Sequence, residues 1–381
     1  MKYATLVVSL VLVLSACGGS KVVREPPAPL PDFTPQTQIQ ELWSAGVGGV
    51  SGKLPVRLMP HLDGNTIYAA DMRGRVTALA ADSGRRLWET NLNLTVTGAT
   101  GVGEGLVVVG GQKGQVIALN REDGKQAWSA TVSSSVMSPP VAHAGVVVVQ
   151  TVDGKLTGLS VADGKRLWVY ERSEPALSLI GTAAPIVVDD FVLSGFASGK
   201  IVALNIKDGR ALWEFTVSQP RGRNEVERMV DVDAPLLIVR DTLYAASYQG
   251  KIVAVDMRAS GRLLWTRDAS TFSGMDAGRG NIYLSDEKGH VLALDQTTGA
   301  SVWKQDKLRG RSLSAPAYIN GYVVVGDYQG YLHWLSAEDG RFVARHRVGS
   351  DAVTARAIPG AQALYVLNQG GSLAALQPRA R

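Results

Sequence analysis

Residues 289–303 read GHVLALDQTTGASVW, and this stretch decides the fold. It opens on Gly289, continues as an alternating apolar run, turns at Gly299 and ends on Trp303. A period near 40 residues between such phrases is the length of one four-stranded blade of a β-propeller. The sequence therefore predicts an all-β fold, an eight-bladed β-propeller of four-stranded antiparallel blades. The eight phrases open on Gly74, Gly114, Gly154, Gly199, Gly250, Gly289, Gly330 and Gly371.

The eighth phrase is incomplete, and this indicates how the ring closes. It stops at Leu376, before the position of its tryptophan, whereas Trp43 stands near the N-terminus with no phrase in front of it. We therefore expect the N-terminal strand to complete the last blade, which removes the open edges of an unclosed array. An indole at one fixed outer-strand position can wedge between adjacent blades while its N–H finds a backbone acceptor. The predicted blade-docking residues are Trp43, Trp88, Trp128, Trp168, Trp213, Trp265 and Trp303.

The seventh phrase departs from this pattern. Ala344 occupies its tryptophan position, and Phe342 is the nearest large side chain that could fill part of the space. We expect the contact between this blade and its neighbour to be the least well packed of the ring, because a cavity at a lost core side chain costs a few kcal/mol.

Charge and composition argue against a nucleic-acid partner and against a metal site. The formal net charge is only +5, and the basic cluster of Arg221 and Arg223 is interleaved with Glu225 and Glu227. A nucleic-acid surface would need a basic stripe with stacking aromatic residues, whereas these tryptophans have the spacing of core residues. The histidines show neither metal-ligand spacing nor an evident acidic partner. They are His61, His143, His290, His333 and His346.

The N-terminus has the pattern of a secretion signal. Lys2 precedes an apolar run from Tyr3 to Leu14, which is too short to span a bilayer. The run ends in the sequence Leu-Ser-Ala-Cys, which resembles the lipobox of bacterial lipoproteins, where the cysteine is acylated and becomes the first residue. Cys17 is the only cysteine of the chain and stands where that motif requires it. The alternative is a buried or idle cysteine behind an ordinary signal peptide.

Small, polar and proline-rich residues follow Cys17 as far as Pro31, which is the composition of a semi-extended tether. Several acyl chains, palmitate among them, would hold such a tether in a membrane, where a single chain would be marginal. In lipoproteins an Asp after the cysteine commonly signals inner-membrane retention, and here that residue is Gly18, so the resemblance implies the outer membrane, facing the periplasm. The predicted organisation is a signal peptide over 1–16, a lipidated N-terminus and flexible tether over 17–40, the propeller over 41–377 and a C-terminal tail over 378–381.

Two connections between blades are longer than the others. The distances between successive opening glycines are 40, 40, 45, 51, 39, 41 and 41 residues, and the two extra lengths fall within Glu171–Pro185 and Gln219–Pro235. Equivalent connections of a repeat emerge on one face, so insertions at successive blade junctions are expected to be neighbours and to form a docking patch for a partner. The alternative is tolerated drift in loop length. The candidate residues are Leu177, Leu179 and Ile180 in the first insertion and Asp231 and Asp233 in the second.

The stretch at 293–303 resembles the tryptophan-docking motif of pyrroloquinoline-quinone dehydrogenases, which are also eight-bladed. This motif is architectural, so likeness of fold alone does not make the chain an oxidoreductase. Those enzymes typically carry a vicinal cysteine pair beside the quinone, and some carry a Cys-x-x-Cys-His haem site. A chain with one cysteine has neither. We therefore expect no cofactor and no enzymatic activity, and a periplasmic oxidoreductase of this quinoprotein kind is the alternative.

Together with the lipobox, the tryptophan blades resemble the BamB family, the lipoproteins of the β-barrel assembly machinery of the outer membrane. The likeness extends from about Glu41 to Leu376, and its most specific stretches are 231–233, 326–334 and 338–344. The resemblance implies a non-catalytic scaffold that binds the periplasmic POTRA domains of BamA, the central barrel-inserting subunit. It also implies help in folding and inserting outer-membrane proteins, whose unfolded strands could add to a propeller edge.

In that family the contact with BamA is attributed to a Leu-x-Leu-Arg loop and an Asp-x-Asp loop. These match Leu177 and Leu179 in the first insertion and Asp231 and Asp233 in the second. Ile180 stands where the family has arginine, so apolar anchoring by the two leucines is expected to dominate here. The remaining alternative is a lipoprotein propeller that docks to another partner of the cell envelope.

Overall fold

The computed structural model describes residues 26–50, 56, 58–175, 177–179, 181–258, 261–271 and 273–380. Within this part of the chain, 32 strands form eight antiparallel sheets of four strands each, which follow one another as the blades of a ring. The predicted all-β, eight-bladed propeller is confirmed. Across the described residues, no helix is long and apolar enough to traverse a membrane. The predicted signal peptide and Cys17 lie outside the described residues.

Each of the first four blades runs from an inner strand to an outer strand at the rim. Blade 1 consists of β2 (His61–Asp63), β3 (Thr66–Ala70), β4 (Arg75–Ala80) and β5 (Arg86–Asn91). Blade 2 consists of β6 (Val96–Gly103), β7 (Leu106–Gly111), β8 (Gln115–Asn120) and β9 (Gln126–Thr131). Blade 3 consists of β10 (Val141–His143), β11 (Val146–Thr151), β12 (Lys155–Ser160) and β13 (Arg166–Glu171). Blade 4 consists of β14 (Ile186–Val188), β15 (Phe191–Gly195), β16 (Lys200–Asn205) and β17 (Ala211–Thr216).

The other four blades repeat this order, and the last takes its outer strand from the start of the chain. Blade 5 consists of β18 (Leu237–Val239), β19 (Thr242–Ala246), β20 (Lys251–Asp256) and β21 (Arg262–Asp268). Blade 6 consists of β22 (Met275–Gly278), β23 (Asn281–Ser285), β24 (Val291–Asp295) and β25 (Ser301–Gln305). Blade 7 consists of β26 (Ala317–Ile319), β27 (Tyr322–Gly326), β28 (Tyr331–Ser336) and β29 (Phe342–Arg347). Blade 8 consists of β30 (Ile358–Pro359), β31 (Leu364–Leu367), β32 (Ser372–Ala380) and β1 (Thr37–Gly46).

Strand β1 closes the ring as predicted. It pairs with β32 in an antiparallel ladder that runs from Thr37 opposite Ala380 to Gly46 opposite Ser372. The ladder is longer than expected at both ends, so the propeller extends past the predicted boundaries at 41 and 377. No hairpin turn joins these two strands, and the pairing therefore continues as far as both chains stay extended.

The docking tryptophans lie on the outer strands and face the next blade. In six of the seven, Trp213 being the exception, the indole N–H donates to a backbone carbonyl of that blade at 2.7–3.0 Å, which satisfies the polar atom of a side chain otherwise packed in apolar surroundings. The donor and acceptor pairs are Trp43 and Ala81, Trp88 and Arg121, Trp128 and Val161, Trp168 and Ile206, Trp265 and Gln296, and Trp303 and Ala337.

Each docked indole also covers a turn glycine of the next blade. At Gly299 the backbone has a φ of +69°, and a Cβ atom there would lie 2.6 Å from the ring of Trp265. Glycine is therefore required twice at this position, once for the left-handed backbone and once for the space that the indole fills. The same arrangement recurs at Gly84, Gly124, Gly164, Gly209, Gly261 and Gly340.

The prediction of a weak contact between blade 7 and its neighbour is wrong, because the third strand of blade 7 supplies the indole that its outer strand lacks. In blade 6 Trp303 on the outer strand faces Ala293 on the third strand, whereas in blade 7 the register places Ala344 on the outer strand opposite Trp334 on the third. Trp334 is completely buried in the apolar cluster between blades 7 and 8. The pair of large and small residues is thus inverted, with the total volume conserved.

The inversion follows from the way the ring closes. A docking indole needs the glycine turn between the third and fourth strands of the next blade. In blade 8 these strands are β32 and β1, which come from opposite ends of the chain and share no turn. Trp334 instead packs edge-on against Tyr322, and its N–H has no hydrogen-bond partner among the described residues.

Residues 26–36 lie along blade 7, so the prediction of a flexible tether over 17–40 is wrong for this part. Ala28 N–H donates to Arg309 O at 2.9 Å, and Gln36 N–H donates to Val343 O at 2.8 Å. Phe33 stacks on Phe342 with ring centroids 5.5 Å apart. The prolines that suggested a linker hold this segment extended, and its aromatic ring gives it a reason to pack.

Candidate partner-docking surface

All connections from an outer strand to the next inner strand lie on one face of the disc, because every blade has the same strand order. We call this the connection face. The two long insertions are such connections: residues 172–185 join β13 to β14, and residues 217–236 join β17 to β18. They occupy successive junctions, between blades 3 and 4 and between blades 4 and 5.

A direct hydrogen bond joins the two insertions. Leu179 N–H in the first donates to Asp231 Oδ1 in the second at 2.7 Å. Asp231 is in turn fixed to blade 5, because Tyr248 N–H donates to its carbonyl oxygen at 2.9 Å. The structure therefore brings together the insertions that the spacing selected and shows which atoms connect them.

The candidate docking residues differ in what they expose. Leu177 is 40% exposed at the surface of the connection face, whereas Leu179 is half-buried. Asp231 is only 1% exposed, so its carboxylate braces the first insertion from beneath instead of facing a partner. Asp233 is half-buried at the edge of a central cavity. Ile180 lies outside the described residues.

That cavity opens at the centre of the connection face and has a volume of about 380 Å³. Connections from six of the eight blade junctions line it, so it forms the mouth of the propeller axis on this face. Leu179, Met59 and Met137 contribute apolar surface. Arg356 contributes a cation, which pairs with Asp276 at 2.8 Å. The first insertion therefore joins an exposed apolar residue at the rim to a partly apolar depression at the axis.

Two carboxyl groups lie where the two insertions meet, Glu174 in the first insertion and Asp231 in the second. Burial raises the pKa of Glu174 to about 7, and the charge of Asp231 adds to the rise, while backbone N–H groups of Ala197 and Ser198 oppose it. Burial likewise raises the pKa of Asp231, and the hydrogen bond from Leu179 N–H opposes this shift. Glu174 Oε2 and Asp231 Oδ2 have no hydrogen-bond partner within the described part of the chain.

The expectation that the histidines lack acidic partners is wrong for three of them. Each pair lies in a hairpin or between adjacent outer strands, and its role is local bracing. Among the described residues no three His, Cys, Asp or Glu side chains come together as a metal site would require. The pairs are His290 with Asp286 at 2.6 Å, His333 with Asp327 at 3.0 Å and His346 with Glu41 at 3.8 Å.

Reasoning from the sequence missed Glu174 and Arg356. Glu174 stands in the first insertion, where its charge close to the apolar residues was the one available signal for it. Arg356 lies in a connection of ordinary length, and its position at the cavity mouth depends on the curvature of the whole ring. No local sequence pattern predicts that Arg356 lies there.

These features define a closed propeller whose distinguishing surface is a pair of joined insertions on one face. The sequence profile of the family described as outer membrane protein assembly factor BamB matches residues 37–96, 72–305 and 288–380. The chain therefore belongs to the outer membrane protein assembly factor BamB family. The name of the family is that of an assembly factor, which confirms the expectation that the chain is not an enzyme.

Similarity to individual relatives extends over nearly the whole chain. The chain is 51% identical to outer membrane protein assembly factor BamB of Pseudomonas aeruginosa over 374 residues, which covers 98% of each protein. It is 35% identical to the protein of the same name in Escherichia coli over 356 residues, which covers 89% of this chain and 90% of the relative.

Solved structures give the same result for the fold. The crystal structure of BamB from Moraxella catarrhalis superposes with a TM-score of 0.81 at 26% identity and covers 89% of this chain and 100% of that one. Quinohemoprotein alcohol dehydrogenase from Comamonas testosteroni superposes with a TM-score of 0.72 at 13% identity, covering 89% of this chain and 76% of that one. The likeness to the dehydrogenase shows a shared propeller fold alone.

Proposed function

We propose that the chain is a non-catalytic scaffold of the outer-membrane β-barrel assembly machinery and that its connection face binds the POTRA domains of BamA. The observation that carries this proposal is the hydrogen bond between Leu179 and Asp231, which joins the two insertions into one surface. The names of the relatives support the assembly role.

Within this surface the candidate residues take different parts. Leu177 is the apolar anchor, because it is the exposed leucine of the first insertion. Leu179 directs the loop toward the central cavity, and Asp231 is a positioning residue that holds the loop through the Leu179 amide. Asp233 supplies polar surface at the cavity edge. A few well-packed residues dominate most interfaces, so the leucines carry most of the binding energy.

The second part of the proposal concerns location. Acylation at Cys17 would anchor the chain in the outer membrane, with the propeller in the periplasm. The lipobox pattern around Cys17 and the outer-membrane role in the relatives' name support this arrangement. Mass spectrometry of the membrane-bound chain, looking for acyl groups on Cys17, tests it directly.

The docking proposal is tested by copurification of the assembly complex with a Leu177→Ala, Leu179→Ala double variant. Loss of both leucines weakens an interface by about 2 kcal/mol or more, so the affinity for the barrel subunit is expected to fall ~30-fold and its recovery to fall with it. Leu167→Ala is the matched control, because Leu167 is 52% exposed on outer strand β13, at the rim of the neighbouring blade.

Undiminished copurification of the double variant, with a thermal midpoint equal to that of the parent chain, would contradict docking through this face. Crosslinking from position 177 decides the identity of the partner. Capture of a BamA POTRA domain supports the proposal, and capture of a different envelope protein in its place overturns it.

A further inference from the structure

Residues 26–36 form a strap along blade 7 that reaches from one face of the disc to the other. Strand β29 runs from Phe342 to Arg347, and the next connection, residues 348–357, lies on the connection face. The Phe342 end is therefore at the opposite face. Gln36 bonds Val343 near that end, whereas Ala28 bonds Arg309 in the connection between blades 6 and 7. The strap thus enters at the connection face and descends to the start of β1.

Arg311 fastens the upper end of the strap. Its guanidinium donates to Ala28 O at 3.0 Å through Nη1 and to Asp327 Oδ2 at 2.8 Å through Nε. Asp327 is completely buried and also contacts His333 Nε2 at 3.0 Å, so Arg311 is part of a buried network of charged and polar groups. A buried charge held by several hydrogen bonds has a defined position, and this position includes the backbone of the strap.

Arg345 and an aromatic pair fasten the middle of the strap. Arg345 Nη2 donates to Pro31 O at 2.7 Å, and its guanidinium lies 5.1 Å from the ring centre of Phe33. Phe33 itself stacks on Phe342. The first two residues of the outer strand of blade 7, Phe342 and Val343, are buried, whereas the first two residues of the equivalent strands of blades 3 and 4 are exposed.

We propose that this strap makes the N-terminal segment leave the propeller on the connection face and so holds that face toward the membrane. The inference rests on the proposed lipid anchor at Cys17. Only eight residues separate Cys17 from Pro26, and the nine Cα–Cα steps from one to the other span at most about 30 Å. A tether free as far as residue 41 would reach about 80 Å and would leave either face able to turn to the bilayer.

The strap also sets where on the face the chain leaves. Its upper end lies at the junction of blades 6 and 7, whereas the insertions lie at the junctions of blades 3 and 4 and of blades 4 and 5. With eight blades around the ring, these positions are separated by roughly a quarter to three eighths of a turn. The proposed docking surface therefore lies on the same face as the exit point of the strap but away from it, and its own part of the face is left open to a partner.

Residue-resolved amide exchange on the full chain tests the strap without reference to the membrane. The Ala28 and Gln36 amides are expected to be protected, and a Phe33→Ala, Arg345→Gln variant is expected to exchange both at least 10-fold faster. Arg347→Gln is the matched control, because Arg347 contacts Tyr331 and Gln329 on blade 7. Exchange of both amides at the random-coil rate in the parent chain would overturn the proposal.

Fluorescence quenching by headgroup-labelled lipid in vesicles tests the orientation. A fluorescent amino acid is incorporated at Glu287 or at Thr297, which are exposed in hairpins at opposite ends of blade 6. Glu287 lies on the connection face and is expected to be quenched several-fold more than Thr297. The difference should shrink in the Phe33→Ala, Arg345→Gln variant and persist in Arg347→Gln.

The two arms separate failure of this inference from failure of the proposed anchor. Equal quenching at the two positions, or stronger quenching at Thr297, on vesicle-bound protein overturns the orientation and leaves the anchor standing. A chain that does not bind vesicles overturns the lipid anchor, and with it the orientation toward the membrane. Amide exchange then decides separately whether the strap itself is docked.

Discussion

At the scale of single residues, the protonation state of Glu174 links the stability of the connection face to pH. Burial raises its pKa from 4.5 to about 7, with a further contribution from the charge of Asp231. The folded chain therefore retains this proton at pH values where the unfolded chain has released it. The contribution of the protonated carboxyl to the free energy of unfolding is complete below about pH 4.5 and declines as the pH rises through about 7.

We expect Glu174→Gln to remove this decline, because glutamine imitates the protonated carboxyl. The parent chain should lose thermal stability between about pH 5 and about pH 8, and the variant should lose less, with a difference on the order of 2 °C in Tm. Calorimetry at both pH values measures it. Glu225→Gln, an exposed position of the second insertion, serves as control. Equal losses in the parent chain and in Glu174→Gln would show that the carboxyl is not held protonated.

At the scale of elements, the blade-to-blade joint is an indole placed over a glycine turn. Gly124 in blade 2 has a φ of +70°, and a Cβ atom there would lie 2.5 Å from the Trp88 ring. Gly105 in the same blade has a φ of +76° and nothing within 4 Å of such an atom. Both glycines therefore have a backbone conformation that favours glycine, but only Gly124 lies against a docking indole.

We expect Gly124→Ala to be less stable than Gly105→Ala by about 1–3 kcal/mol. Both variants carry the strain of a positive φ, and only the first forces the indole out of its position. Denaturant unfolding of the two variants gives the difference in the free energy of unfolding. If both lose the same amount, the indole moves without cost and the joint is not the source of stability.

The blades and the strap of residues 26–36 also show what can be predicted from the sequence and what cannot. The blades were predictable because their glycines and tryptophans recur at fixed spacing. The inversion of Trp334 and Ala344 was not, because the exchange joins two strands through register, and spacing along one strand does not report register. The strap was missed because a run of prolines has the same composition whether it is free or packed. The two cases are separated by its contacts with the propeller, among them those with Arg311 and Arg345.

At the scale of the whole molecule, the ring is one unit because every blade buries its faces against two neighbours. The apolar clusters lie between blades, and the cluster that joins blade 8 to blade 1 contains residues from both ends of the chain. Removal of one joint therefore weakens the entire ring. An open array would instead fray from its ends.

We expect Trp43→Ala and Trp128→Ala to lower the midpoint of one common unfolding transition. Loss of a docked indole costs about 3–5 kcal/mol in a packed site and less where the ring is partly exposed, as at Trp43. Fluorescence and circular dichroism followed through denaturant unfolding should give coincident curves. Leu42→Ala, an exposed neighbour, is the control. A separate early transition in Trp43→Ala alone would mean that the closing blade is not part of the common unit.

The candidate surface was predictable only in outline at this scale. The spacing identified both insertions and their adjacency, since these follow from the repeat itself. The exposure of Leu177, the burial of Asp231 and the cavity beside Leu179 depend on how far the ring curves and on irregular backbone. Neither the curvature of the ring nor an irregular backbone produces a periodic pattern in the sequence.

The pairing of β1 with β32 has a consequence for the order of events during synthesis. Thr37 in β1 pairs with Ala380 in β32 across more than 300 residues of sequence, so β1 is synthesised long before the strand that it pairs with. Until then its backbone groups are an unsatisfied edge, open to wrong partners. Closure of this propeller therefore waits for β32, and a chain halted before Ser372 leaves β1 without its ladder partner.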